Sequence, residues 1–191
     1  MNETSKFLSY VLRHAPEAIG LSLDSDGWVL METLIAGAAQ HGRAMDIDLL
    51  KAVVASSDKK RFAISEDGLS IRAVQGHSTP TVKLDHVQKT PPAMLYHGTA
   101  SRFIESIRAK GLIPGSRHHV HLSELRETAV SVGQRYGFAV VLEVKALDMY
   151  NEGAKFYQAD NGVWLTDSVP TKFLVEPAPI SIPKSQRWSL A

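Results

Sequence analysis

Between Gly76 and Pro92 the chain reads His77-Ser78-Thr79-Pro80-Thr81-Val82 and, a few residues on, Lys89-Thr90-Pro91-Pro92. Proline removes a backbone donor and pushes the residue before it out of helical dihedrals. Two such clusters in a row interrupt any helix or central strand laid across them. The chain is therefore expected to fold as two lobes with a link between them, which suits its 191 residues. The predicted boundaries are a first lobe at 1–78, a link at 79–92, a second lobe at 93–179 and a tail at 180–191. From Pro177 onward three prolines and little apolar pattern predict a loosely held end.

The first lobe reads as helix, short strand, helix, helix, hairpin. Thr4 or Ser5 can cap a helix whose Phe7, Leu8, Val11 and Leu12 share one face. Asp26-Gly27 turns the chain into Trp28-Val29-Leu30. A second helix is expected from Glu32 to Gln40, with Leu34 and Ile35 inward and Gly42 just beyond it. Asp46 can cap a third helix carrying Leu49, Leu50, Val53 and Val54. Arg61–Ser65 and Leu69–Arg72 then flank Glu66-Asp67-Gly68, a hairpin with glycine where φ turns positive. Three helices and a hairpin wing predict a winged-helix-like module.

The second lobe is richer in strands, so the whole chain reads as α+β. Met94-Leu95-Tyr96 leads into His97-Gly98-Thr99, read as a strand end. A helix is expected over 101–110, with Phe103, Ile104 and Ile107 on one side and Gly111 as its stop. His119 to Leu122 alternates like a strand, and Ser123 can cap the helix after it. Phe138 to Val144 is the strongest strand; Val163-Trp164-Leu165 and Phe173-Leu174-Val175 are shorter ones.

Hydrophobic residues make up 44% and charged residues 21%, as in ordinary globular proteins. No apolar run approaches the roughly 20 residues of a membrane helix, and Met1 to Lys6 lacks the layout of a secretory signal. With no cysteine there is no disulfide, thiolate nucleophile or cysteine-bound zinc, and a cytoplasmic setting is expected. Net charge is +1. Split at Pro92, the first part holds ten Lys+Arg against eleven Asp+Glu and the rest eleven against nine. Neither part is a basic tail. A few folded-in cations gripping one or two phosphates fit this balance better than a surface coating a duplex.

Four groups can carry chemistry. Leu12-Arg13-His14-Ala15-Pro16 ends the first helix. A cation pair there is ordinarily explained by the helix dipole, yet Arg also offers a planar fork to phosphate oxygens and His moves a proton near neutral pH. Lys59-Lys60-Arg61-Phe62 resembles a solvated charge run, except that Arg61 abuts an apolar strand. Tyr96-His97-Gly98-Thr99 joins a small residue that admits a ligand to backbone with two polar groups suited to a ribose or amide. Arg117-His118-His119-Val120-His121-Leu122-Ser123 holds three histidines in four positions. His119 and His121 share a strand face as metal ligands do, but no nearby Asp, Glu or Cys cluster completes a site, so no metal is expected. The phosphate-loop, Rossmann and Gly-x-Ser-x-Gly signatures are absent.

Taken in order, Ser5-Lys6-Phe7-Leu8-Ser9-Tyr10-Val11-Leu12-Arg13-His14, Gly27-Trp28, Ser57-Asp58-Lys59-Lys60-Arg61-Phe62, Ile71-Arg72-Ala73-Val74-Gln75-Gly76-His77-Ser78, Leu95-Tyr96-His97-Gly98-Thr99, Val120-His121-Leu122-Ser123 and Asn161-Gly162-Val163-Trp164-Leu165-Thr166 resemble one family. It is the tRNA/RNA 2′-phosphotransferases, in their bacterial branch, matched over about residues 4 to 176. The resemblance implies a winged-helix-like first lobe and a second lobe with the ADP-ribosyltransferase-fold β-sandwich. It implies NAD consumed as co-substrate and an RNA bearing an internal 2′-phosphate. That phosphate attacks the nicotinamide ribose carbon; the neighbouring ribose hydroxyl then attacks the phosphate, leaving 2′-hydroxyl RNA and ADP-ribose 1″,2″-cyclic phosphate.

By motif, the resemblance implies Arg13, His14, Arg61 and Arg117 as catalytic residues. The fold's nucleotide-site triad corresponds to His97, His121 and Val163, an apolar third member where protein-modifying relatives carry Glu. Gly98, Thr99 and Ser123 are expected to help form the NAD pocket. Arg13 and Arg61 from the first lobe and Arg117 from the second would place the phosphate between lobes. Eukaryotic members act in tRNA splicing; the cellular RNA of this chain is left open, and a monomer is the default. The alternative activity is ADP-ribosylation of protein or of nucleic-acid terminal phosphates, which the missing Glu at Val163 disfavours for protein.

Overall fold

The computed structural model describes residues 3–57, 59–84 and 86–175. The fold is α+β, and the sheets formed by the described residues are small and antiparallel. Residues 176–191, where a loosely held tail is expected, lie outside the described residues.

Helix α1 (Glu3–Val11) buries Leu8 and Val11, and Leu12 just beyond it, completely. Thr4 and Ser5 lie inside this helix rather than capping it; Ser5 is itself buried. Strand β1 (Val29–Leu30) runs directly into α2 (Met31–Gln40), whose Leu34 is fully buried while Ile35 packs at the edge of the core. The capping expectation for α3 (Ile47–Ala55) holds: Asp46 Oδ1 accepts the Leu49 amide at 2.8 Å, an interaction worth about 1 kcal/mol. Leu49 is one of the exposed residues of that helix; Leu50 and Val53 point inward. The hairpin of β2 (Phe62–Ile64) and β3 (Ser70–Ala73) pairs Phe62 with Ala73, and Gly68 takes the left-handed φ of 74° that its turn requires. Its strand order is β1-β3-β2. These elements enclose one apolar cluster centred on Leu8, Leu12, Leu34, Leu50 and Ile71.

A second cluster lies under two further sheets. In one, β4 (Leu95–Ala100) pairs with β6 (Ala139–Val144), which also pairs with β9 (Leu174–Val175). His97-Gly98-Thr99 is thus the middle of a six-residue strand, not its end. In the other, β8 (Trp164–Thr166) is central, between β5 (Val120–Leu122) and β7 (Phe156–Gln158). Val120, Leu122, Phe156, Trp164 and Thr166 turn to the core. The cross-strand row His121–Leu165–Tyr157 faces the other way, and Leu165 on that row is buried as well.

Helices α4 (Ile104–Lys110), α5 (Arg126–Gly133) and α6 (Ala146–Asn151) complete the half. Phe103 is exposed, while Ile104 and Ile107 pack on the core. Ser123 does not cap α5, whose first flanking residue is Leu125; its backbone exchanges two hydrogen bonds with Tyr96 at 2.8 and 2.9 Å and so ties the two sheets together. Phe138 and Val163 sit just outside their strands, and Phe173 falls in a 3-10 turn before β9. Within 79–92, Val82 is fully buried in the first cluster, and Gln88 bridges to Tyr157 of β7.

Candidate active site

Where α1 ends, Leu12, His14 and Ala15 still donate backwards to Leu8 and Tyr10 carbonyls, which rolls the chain off the helix and sends Arg13 and His14 away from the core. Arg13 Nη2 donates to the Arg61 carbonyl at 3.4 Å, and its guanidinium lies 5.9 Å from the Phe62 ring centre. Arg61 in turn holds Ser57 Oγ through both its amide and Nη1 at 3.4 Å. From the second half, Arg117 Nη1 donates to His121 Nδ1 at 3.3 Å. Gly76, with φ 88°, lies between these groups: a side chain there would meet Arg13 and the His121 ring at 3.6–3.7 Å. His14 Nδ1 is 3.0 Å from Ser78 Oγ, and Ser78 is pinned by its amide to the Arg13 carbonyl at 2.9 Å.

The cationic groups feel one another. Burial, then Arg117 and Arg61, pull the Arg13 pKa down to about 10. His14 lies below its usual range through burial and then the charges of Arg117 and Arg13. Burial and the same two guanidinia press His121 down to about 3. Arg13 Nε is buried without a hydrogen-bond partner among the described residues. A buried donor left unmatched within a field of like charge is a site short of an anion. Two oxygens of a phosphate would meet these guanidinia in the fork geometry that they favour.

His97 stands beside this group on β4. Its Nδ1 donates to the His121 carbonyl at 3.0 Å, which leaves Nε2 as the acceptor. Burial is the main reason its pKa is lowered. Thr99 shares its face of the strand and is buried. Gly98 has a packing role as well. A Cβ there would fall 1.8 Å from the Ala129 carbonyl oxygen, so the glycine admits helix α5 to the strand. Ser123 contributes its backbone to the sheet junction. Val163 is half-buried at the entry to β8, its carbonyl accepting from Ala159 and its amide donating to Asn161 Oδ1.

Arg13, His14, Arg61, Arg117, His121 and His97 thus come together, while Gly98, Ser123 and Val163 flank them through backbone and packing. Gly76 and Ser78 were not singled out as site residues, although both stand in the Ile71–Ser78 motif; a glycine leaving a strand beside His77 and Ser78 was their signal. Contact between halves continues along the β2–β3 hairpin. Arg72 stacks 4.6 Å over the Trp28 ring and pairs with Asp160 at 3.4 Å, and Asn161 Nδ2 donates to the Lys59 carbonyl at 3.4 Å. Among the described residues no group of three or more His, Cys, Asp or Glu is placed to hold a metal, and no helix is long and apolar enough to cross a membrane.

Residues 1–168 match the model of the family described as RNA 2′-phosphotransferase, Tpt1 / KptA family. A probable RNA 2′-phosphotransferase of Pseudomonas aeruginosa is 62% identical over 176 residues, covering 92% of this chain and 97% of its own. One from Pectobacterium carotovorum is 58% identical over 172 residues, 90% of this chain and 92% of its own. A third, from Burkholderia lata, is 57% identical over 172 residues, 90% and 89%.

Proposed function

Because this chain belongs to the RNA 2′-phosphotransferase family, we propose that it removes an internal 2′-phosphate from RNA with NAD as the acceptor. The RNA passes through an ADP-ribosylated intermediate, and the products are 2′-hydroxyl RNA, nicotinamide and ADP-ribose 1″,2″-cyclic phosphate. The observation that carries this reading is the meeting of Arg61 and Arg117 with Arg13, which lies against Gly76, with His14 at their edge. In this proposal the helices and hairpin before Gly76 form a winged-helix-like lobe, and the two three-stranded sheets after it form an ADP-ribosyltransferase-like lobe.

The residues present fit the nucleotide. His97 Nε2 is an acceptor suited to a ribose hydroxyl, with Thr99 on the same strand face. NAD, when bound, supplies an electrophilic ribose carbon and nicotinamide as leaving group. Arg13, Arg61 and Arg117 bind the RNA phosphate and orient it as an anionic nucleophile that needs no base. The same three cations then oppose the charge that builds on the phosphoryl group as it transfers. In the tautomer whose Nδ1 donates to Ser78 Oγ, His14 Nε2 is the basic nitrogen that takes the proton of the attacking ribose hydroxyl. Burial, and then the charges of Arg117 and Arg13, lower its pKa and so favour the neutral form that accepts a proton.

The test is 2′-phosphorylated RNA incubated with and without NAD, followed by nucleotide product analysis. Release of 2′-hydroxyl RNA together with the cyclic phosphate is expected only when NAD is present. Labelled NAD marking protein, with the RNA left phosphorylated, would overturn the proposal in favour of a protein ADP-ribosyltransferase.

A further inference from the structure

Next to the arginines lies a cavity of about 440 Å³, within the range of small-ligand sites. None of its lining comes from β4, so it is separate from the space around His97 and Thr99. Its floor is the outward row of the β5-β8-β7 sheet, at His119, His121 and Leu165. Its roof is the segment after Gly76, through His77, Lys83 and His86. Gly76 and His121 belong both to this lining and to the arginine site, so the two spaces adjoin.

We propose that this cavity receives the base of a nucleoside flanking the phosphorylated one, stacked against His119 and met at its edge by the roof imidazoles. The proposal rests on the RNA reading above. Because the two spaces adjoin at Gly76 and His121, a polynucleotide held by one 2′-phosphate at the arginines has its next residue beside this space. The cavity offers flat surfaces: His119 lies 5.8 Å from Tyr157 at 60° and 6.3 Å from His86 at 72°. A base completes such a cluster by stacking, which is tolerant of sequence because every base has a π face. Its edges match as well. Burial lowers His77 to about 4 and, against the opposing Asp167 carboxylate 3.8 Å away, lowers His119 as well; an imidazole in its neutral form carries one donor and one acceptor, as base edges do. Lys83 gives the cavity a cation for a backbone phosphate.

The experiment is equilibrium binding of a fluorescein-labelled oligoribonucleotide with one internal 2′-phosphate, measured by anisotropy without NAD. It is repeated with the 5′ neighbour abasic and with the 3′ neighbour abasic, on wild type, His119→Ala and His86→Ala. One of the two abasic RNAs is expected to bind wild type about tenfold more weakly, the scale on which one stacked base counts. His119→Ala should weaken the intact RNA by a similar factor and leave that abasic RNA no weaker than it already is. Thermal unfolding identifies a variant that has simply lost its fold; His86→Ala, on the roof, repeats the test independently of the sheet. Equal weakening of all three RNAs, no weakening of any, or a loss of NAD affinity in place of RNA affinity would overturn the proposal. Should the expected pattern appear in a protein that forms neither 2′-hydroxyl RNA nor the cyclic phosphate with NAD, the cavity assignment stands and the activity reading falls.

Discussion

The arginine cluster and the strand carrying His97 lie side by side but are built on opposite principles. Arg13, Arg61 and Arg117 arrive from distant segments of both halves, repel one another and leave Arg13 Nε unmatched. The His97 strand is contiguous, paired along its whole length to β6, and closed on its other face by α5 against Gly98. One region is incomplete until an anion arrives; the other is complete as it stands. Residues of the first should therefore matter for chemistry and little for stability, whereas on the second it is the face packed at Gly98, opposite His97 and Thr99, that should matter for stability.

The largest effects test the first half of that contrast. Arg61→Ala and His14→Ala are each expected to slow RNA dephosphorylation by roughly 10²–10³-fold, the scale on which one preorganised group counts, with ADP-ribosylated RNA accumulating. Their thermal midpoints should stay close to wild type, because removing one guanidinium relieves repulsion. Gel analysis of the RNA and a melt decide this; full turnover, or a collapse in stability, breaks the comparison.

Gly98→Ala is the mirror case. The methyl group would sit 1.8 Å from the Ala129 carbonyl oxygen, which is backbone and cannot swing aside. An overpacking loss of about 1–3 kcal/mol or more is expected, read as a lower urea midpoint. An alanine variant as stable as wild type would show that α5 does not seal this strand.

Acid sharpens the comparison. His121 is held to about 3 and His77 to about 4, chiefly by burial, so both are neutral in the folded chain. The unfolded chain takes up their protons below about 6.5, whereas the folded chain does so only near those lower values. Stability from this source is fully present above about 6.5 and falls as pH drops toward 3. Urea midpoints measured between pH 7 and 4 should decline, less steeply in His77→Gln. Inorganic phosphate should offset part of the decline, since an anion beside Arg117 and Arg13 removes the charges that help hold His121 neutral. A flat profile would place these histidines in a wetter setting than their burial implies.

How much of this was legible in the sequence depends on how local the cause was. The α1 face, the Asp46 cap and the Gly68 turn each follow from residues within a few positions, and each is found. Phe156–Gln158 and Ala146–Asn151 were not anticipated as elements, since three residues become a strand only by pairing with β8 and a six-residue helix has too few turns for a periodic signal. Ser123 has the composition of a cap, but its backbone is engaged with Tyr96, which no local pattern encodes. At Gly98 the sequence shows a missing side chain but not that α5 packs in its place. The grouping of Arg13, Arg61 and Arg117 came from motif order alone; their spacing in the chain holds no hint of it.

The smallest effect concerns how the two regions are held in register. Arg72 and Asp160 form an ion pair at 3.4 Å with Asp160 largely exposed, so its direct contribution to stability is about 0–1 kcal/mol. Asp160→Asn should hardly move the thermal midpoint. Yet Arg72 also stacks on Trp28, and Asn161 beside Asp160 reaches the Lys59 carbonyl, two residues before Arg61. Loosening that contact lets Arg61 drift relative to Arg117, which comes from the other half. The expected result is a several-fold rise in KM for the phosphorylated RNA, with KM for NAD unchanged, because the His97 strand does not depend on the wing. A matching rise for both substrates would mean that the arginine site and the His97 strand are one mechanical unit, and their contrast would then lie in electrostatics alone.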